Sequence, residues 1–347
     1  NPLLAAPSAR QSIAAVGPQA EVFRISPVEP WRIVRTRLRV AGLVRGPVEG
    51  GGRAAGYFTG ATGVTIYRGD AWPDQWKGLA IVGDVGSNLV HRKRLEPNGI
   101  EFIATRIDRQ SEFVTSSDIW FRPAQFANAP DGSLYVIDVC REVIEHPKSL
   151  PPDIKKHLDL TAGRDRGRIY RLVPESFQPR AAENLTAMST GALVSMLEHP
   201  NAWHRETAAR LLFERQDPSA IPLLKRLARQ SHFPLARMHA LYALDGLSAL
   251  DVALLKDRLT DADPQVRRHA VKLCEQLPDP SMISKQLLEL SDDPSIEVRY
   301  QLAFTTGSLS AVDRGEVLAR LVRHDVGDRW MAAAVQSSLA EDAGQVF

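Results

Sequence analysis

Cysteine is scarce, with 2 residues in a chain of 347. Cys140 and Cys274 lie far apart, and no CxxC pair, zinc-ligand set or CxxCH haem-attachment signature occurs, so neither a disulfide framework nor a covalently held haem is expected. Long apolar runs are also missing, which excludes a membrane-spanning helix. Charge of one sign is not in excess. The 43 Lys+Arg residues against 41 Asp+Glu give a net charge of +2, which offers little to a nucleic-acid backbone, and no nucleic-acid partner is expected. A P-loop, a GxSxG elbow and an HExxH pair are absent. The Gly50-Gly51-Gly52 run has the wrong spacing for a dinucleotide fingerprint and reads as a turn between strands. The chain opens on Asn1-Pro2 without a methionine or a signal peptide, and is read as a fragment.

What is present fills two domains. A hydrophobic content of 44% is ample for packed cores and excludes disorder over most of the length. The character changes near residue 180, dividing the chain into 1–180 and 181–347. Before that point, short runs rich in Val, Ile, Phe and Tyr predict strands at 20–25, 33–40, 64–67, 78–82, 89–95, 101–106, 133–138 and 168–172. Turn signals such as Pro97-Asn98-Gly99 and Pro130-Asp131-Gly132 separate them. No long helix alternates with these strands, which argues for a sandwich, barrel or propeller rather than a parallel sheet.

After residue 180 the sequence repeats. Arg205, Arg237, Arg267, Arg299 and Arg329 recur at intervals of 30 to 32 residues, each opening an Ala/Leu-rich stretch. Asp-Pro turns, as at Asp263-Pro264 and Asp293-Pro294, precede several of them, and second helices are predicted at 220–229, 249–259 and 282–290. Two helices per period is the signature of an α-solenoid, and this one resembles about five HEAT-like repeats.

The densest polar stretch runs from Trp120 to Arg171. Glu142, Glu145 and His146 have helical spacing suited to metal donors, but Pro147 follows at once; the expectation is a salt-bridged surface connection and no metal. Arg164, Arg166 and Arg168 fit either a grip on a carboxylate or phosphate or pairing with Asp159 and Asp165. His157 reads as a partly buried or surface histidine rather than a base.

Several of these segments resemble a known family. Gly63 to Leu79, with Tyr67, Asp70, Trp72, Pro73 and Trp76, followed by Asn88-Leu89-Val90-His91-Arg92, looks like a late-blade segment of the soluble glucose/sorbosone dehydrogenase β-propellers. Trp120-Phe121-Arg122-Pro123, the run from Pro130 to Asp138, Arg141 to Pro147 and Gly163 to Arg171 extend the likeness. With a solenoid behind them, they resemble the planctomycete-type membrane-bound dehydrogenases, over about residues 20 to 340.

The resemblance implies the late blades of a β-propeller followed by HEAT-like repeats, in an exported, periplasmic or membrane-associated protein. It implies a quinoprotein dehydrogenase that oxidises a sugar or alcohol and passes electrons to a c-type cytochrome module outside this chain. The implied cofactor is pyrroloquinoline quinone, with Arg122 as a contact to its carboxylates and Asp138 and Arg141 as walls of its site. The quinone-binding lysine of that family has no counterpart in Gly83-Asp84-Val85-Gly86. The catalytic histidine belongs to an earlier blade, so no catalytic residue is assigned. The alternative expectation is a non-catalytic scaffold in which propeller and solenoid both serve as binding surfaces for carbohydrate or protein.

Overall fold

A computed structural model describes residues 20–181, 183–308 and 314–339. They form two compact units, which meet in sequence between Arg180 and Ala181; the tip of one β-hairpin, Pro97–Phe102, groups with the second.

The first unit is built on two antiparallel sheets. One contains β1 (Ala61–Ile66), β2 (Ala80–Asp84), β3 (Leu89–Asn98) and β4 (Glu101–Arg106) in that order, with the short β5 (Val114–Thr115) pairing with β3. The other is a meander of β6 (Pro123–Asn128), β7 (Leu134–Asp138) and β8 (Arg168–Leu172). Alternation along the strands sends one set of side chains inward. Ile81 and Val90 from the first sheet meet Phe126, Leu134 and Val136 from the second, with Tyr67, Trp72 and Phe121 completing the core. The Pro130-Asp131-Gly132 turn forms as expected: Asp131 Oδ1 accepts from the Ser133 N–H at 3.0 Å, and Gly132 has φ +83°, where a side chain would be strained. Its carbonyl accepts the buried Tyr67 hydroxyl at 2.7 Å, tying the turn to the core.

Residues 33–40 are helical, not extended. They lie within α1 (Pro30–Val40), which begins on a proline at its first turn. Trp31 and Leu38, seven apart, turn toward one cluster with Val143, Leu150 and Ile154, and the buried Arg35 between them lies over the Trp31 ring. Tertiary burial along that stripe overrides the β-branched composition. Residues 20–25 form no strand either, only a single bridge between Glu21 and Tyr57. A one-turn helix, α2 (Pro152–Lys155), precedes β8.

The second unit is helical, with five helix pairs among the described residues: α3 (Thr190–Met196) with α4 (Ala202–Arg215), α5 (Ala220–Gln230) with α6 (Pro234–Gly246), α7 (Val252–Leu259) with α8 (Pro264–Leu273), α9 (Ser284–Glu289) with α10 (Ile296–Ser308), and α11 (Arg314–His324) with α12 (Arg329–Ser338). Buried Leu, Ala and Val from successive pairs make one continuous core. The repeating arginines staple neighbours together. Arg267 grips Asp293 with Nε and Nη2 at 2.7 and 2.8 Å, while its Nη1 donates to the Asp261 carbonyl at 2.8 Å. Arg237 does the same to Asp261 and the Ser231 carbonyl, and Arg299 to Asp325 and the Asp293 carbonyl. Each fork therefore joins the loop before its own helix to the corresponding loop of the next repeat.

Candidate functional site

Arg122, Asp138 and Arg141 come together, as a structural lattice. Arg122 precedes β6 with 0% exposure. Four of the five N–H bonds of its guanidinium are taken by protein oxygens: Nε by the Arg141 carbonyl at 2.9 Å, Nη1 by Val85 at 2.7 Å, and Nη2 by Glu142 at 2.5 Å and Glu29 Oε1 at 3.3 Å. Burial pulls this guanidinium below its usual range, opposed by the Glu29 carboxylate. Asp138, at the end of β7, accepts from the backbone N–H groups of Arg122 and Cys140, each at 2.8 Å, and from Arg168 Nε at 2.7 Å. Arg141 donates to the Gly163 carbonyl.

Four of the other polar candidates are occupied too. Glu145 is held by Arg35 at 2.9 Å, and the His146 ring accepts the Lys148 N–H at 3.1 Å. No three His, Cys, Asp or Glu side chains among the described residues converge on a point where a metal would sit. Arg168 bonds to Asp118 and Asp138, whereas Arg166 lies over the Trp120 ring.

The feature that sequence reasoning missed lies on the other face of β2 and β3. In that register Val82 opposes His91 and Ala80 opposes Lys93, pointing away from the core that takes Ile81 and Val90. Here a cavity of about 900 Å³ is lined by Phe23, Phe58, Val82, His91, Lys93 and Arg109, among others. His91 is 2% exposed, and its Nδ1 lies 2.6 Å from Glu112 Oε2. The Glu112 side chain is wholly buried and also accepts the Phe23 N–H and Arg106 Nη2, each at 3.1 Å. Burial raises the Glu112 carboxyl, but the bonds from His91, Phe23 and Arg106 outweigh it and leave it below the ordinary carboxylate range. An ionised carboxylate only accepts, so the hydrogen-bond network assigns the proton to His91 Nδ1. Nε2 has no protein partner among the described residues, and the ring lines the cavity. Phe58 meets the imidazole edge-on at 5.5 Å, limiting its rotation.

The arrangement can bind a small ligand between aromatic and cationic side chains, and it presents one ring nitrogen whose tautomer is fixed. The only sign of it in the sequence is a histidine in register with apolar strand residues. Its partner Glu112 lies 21 residues on, across a hairpin, at a separation that no local spacing rule foretells.

Comparison with known families places the two halves separately. Residues 1–176, just over half of the chain, match the model of a family described as a domain of unknown function (DUF7133), and residues 180–250 and 252–340 match HEAT repeats. Among curated proteins, none matches the chain.

Proposed function

The chain belongs to the DUF7133 family and continues into HEAT repeats, and from that premise we propose that it is a binding scaffold. The β-rich unit takes a small polyhydroxy ligand of the carbohydrate class, and the helical unit engages a protein partner. The cavity beside β2 and β3 carries this reading. It is large enough for a monosaccharide, it offers the rings of Phe23 and Phe58 for apolar contact with sugar C–H groups, and it sets His91, Lys93 and Arg109 beside them for hydrogen bonding. We read the two sheets as neighbouring propeller blades, with β1 and β6 side by side.

Quinone-dependent oxidation rests on the sequence resemblance alone, as do a cytochrome-type electron acceptor and an exported location. Pyrroloquinoline quinone carries carboxylates that need free guanidinium donors. Arg122 and Asp138 do not fit that need, because the guanidinium of Arg122 is taken by Glu29 and backbone carbonyls and Asp138 by backbone N–H groups and Arg168; Arg141 gives one N–H to the Gly163 carbonyl.

Calorimetric titration of the whole chain with a panel of neutral and acidic monosaccharides tests the binding reading. At least one member is expected to bind, and Phe58→Ala to weaken it about tenfold, in keeping with the roughly 1.5–3 kcal/mol of a buried aromatic contact. Absence of binding across the panel, or an affinity indifferent to Phe58, would refute it.

A further inference from the structure

We propose that the cavity beside β2 and β3 is an acid–base site for a small organic acid, with Lys93 and Arg109 holding the carboxylate and His91 Nε2 accepting a proton from the ligand. This deepens the binding reading above and rests on it.

Three observations carry the proposal. The first is the buried dyad, in which Glu112 fixes the Nδ1–H tautomer of His91 from 2.6 Å and leaves Nε2 as the ring's acceptor at the cavity wall. The second is charge. Arg106 also lines the cavity, but it is committed to Glu112, to the carbonyls of Glu21, Asp108 and Ser111, and to the Phe23 ring. Lys93 and Arg109, by contrast, make no ion pair or side-chain hydrogen bond among the described residues, although both line the same cavity. Glu21 is the one carboxylate among the described lining residues; two free cations against it leave a surplus of one positive charge, and protonation of His91 adds another. The third is shape. Phe23, Phe58 and Val82 provide an apolar wall for the body of the ligand. An anion with an organic body satisfies all three, whereas a neutral ligand leaves the surplus positive charge uncompensated.

The step is a proton transfer. The ligand's O–H or acidic C–H bond breaks, its electron pair stays on the ligand, and the proton forms a bond with the Nε2 lone pair. Glu112 stabilises the resulting imidazolium through Nδ1–H, so no oxidant or further reactant enters.

Bromoacetate is a probe matched to this geometry. It carries a carboxylate, and the Nε2 lone pair can displace bromide from its methylene carbon to form an N–C bond. The folded, full chain is treated near pH 7 with bromoacetate or with neutral bromoacetamide, and the 9 histidines are mapped by peptide mass spectrometry, with exposed His157 as the internal reference. His91 is expected to be carboxymethylated at Nε2 at least about tenfold faster by bromoacetate than by bromoacetamide, in line with the enrichment a charged cleft provides. Added salt should erode the preference, and Lys93→Met with Arg109→Met should abolish it. Both substitutions lie outside the core and leave the dyad in place, so loss of folding does not confound the result. Equal rates for the two reagents would overturn the organic-acid assignment while leaving the cavity as a binding site. If neither reagent reaches His91 while His157 reacts, the cavity reading falls with it.

Discussion

Replacing Arg122 by alanine separates its structural role from a role in ligand contact. Truncation removes four hydrogen bonds at a site of 0% exposure and leaves the carbonyls of Val85, Arg141 and Glu142 without their buried donor. Glu29 keeps Arg32 at 3.3 Å and Arg24 at 3.6 Å, so its charge is not stranded. Breaking a buried pair from one side costs about 3–5 kcal/mol, and these remaining partners put Arg122→Ala at the lower end. About 3 kcal/mol corresponds to a fall of roughly 6–12 °C in Tm for a unit of this size. Differential scanning calorimetry of the whole chain should show the β-rich transition moving while the helical one stays. Tryptophan fluorescence reports chiefly on the same unit, which holds Trp31, Trp72, Trp76 and Trp120, while Trp203 and Trp330 add a signal from the helical one. A loss under about 1 kcal/mol, the range of an exposed ion pair, would refute the structural reading. A normal melt combined with weakened quinone binding would place Arg122 in a cofactor site instead.

The helical unit makes its own predictions. Asp293→Ala strips Arg267 of its carboxylate at a position where the aspartate side chain is 3% exposed, and should cost the helical transition roughly 2–4 kcal/mol, read by urea unfolding; an unchanged midpoint would count against the staple. Asp261 is raised by burial but lowered further by Arg237, the Asp263 N–H and Arg258, so its folded carboxyl titrates below the unfolded value of about 3.9. A depressed acid contributes stability above the unfolded pKa and loses it as pH falls through the folded one. The helical Tm should therefore hold from pH 7 to about 5 and drop below about 4, and Asp261→Asn should flatten that drop. Burial pushes the Cys274 thiol up to about 12, so it should resist a thiol reagent in the native chain and react only after unfolding, as a timed colorimetric assay would show.

Periodicity made the helical half legible from its residues. The arginines at 205, 237, 267, 299 and 329 marked the repeat, and the second helices at 220–229 and 282–290 overlap the observed Ala220–Gln230 and Ser284–Glu289. Their partners Asp261, Asp293 and Asp325 carry no such mark, because Asp-Pro spacing speaks only of helix starts; Asp263 does cap α8, but Asp293 serves both as a turn residue and as a receiver of Arg267. In the β-rich half, residues 101–106 and 168–172 form strands over the expected span, whereas 33–40 became a helix because Trp31, Arg35 and Leu38 gain more from a shared buried stripe than β-branched residues gain from extension. The resemblance drew attention to Arg122 and left His91 as one letter of a motif. A lone arginine near a turn cannot announce that its donors face inward, nor a histidine that a carboxylate waits behind it. Both facts depend on chain segments that meet only after folding.

The arginine forks also decide how the helical unit carries mechanical load. Three of them couple one repeat rigidly to the next, through Arg237, Arg267 and Arg299. One repeat earlier, the loop position that holds Asp261 and Asp293 is Ser231, whose hydroxyl donates to Glu198 instead. A single hydroxyl–carboxylate hydrogen bond thus stands at this position, where the later repeats carry a two-point guanidinium fork.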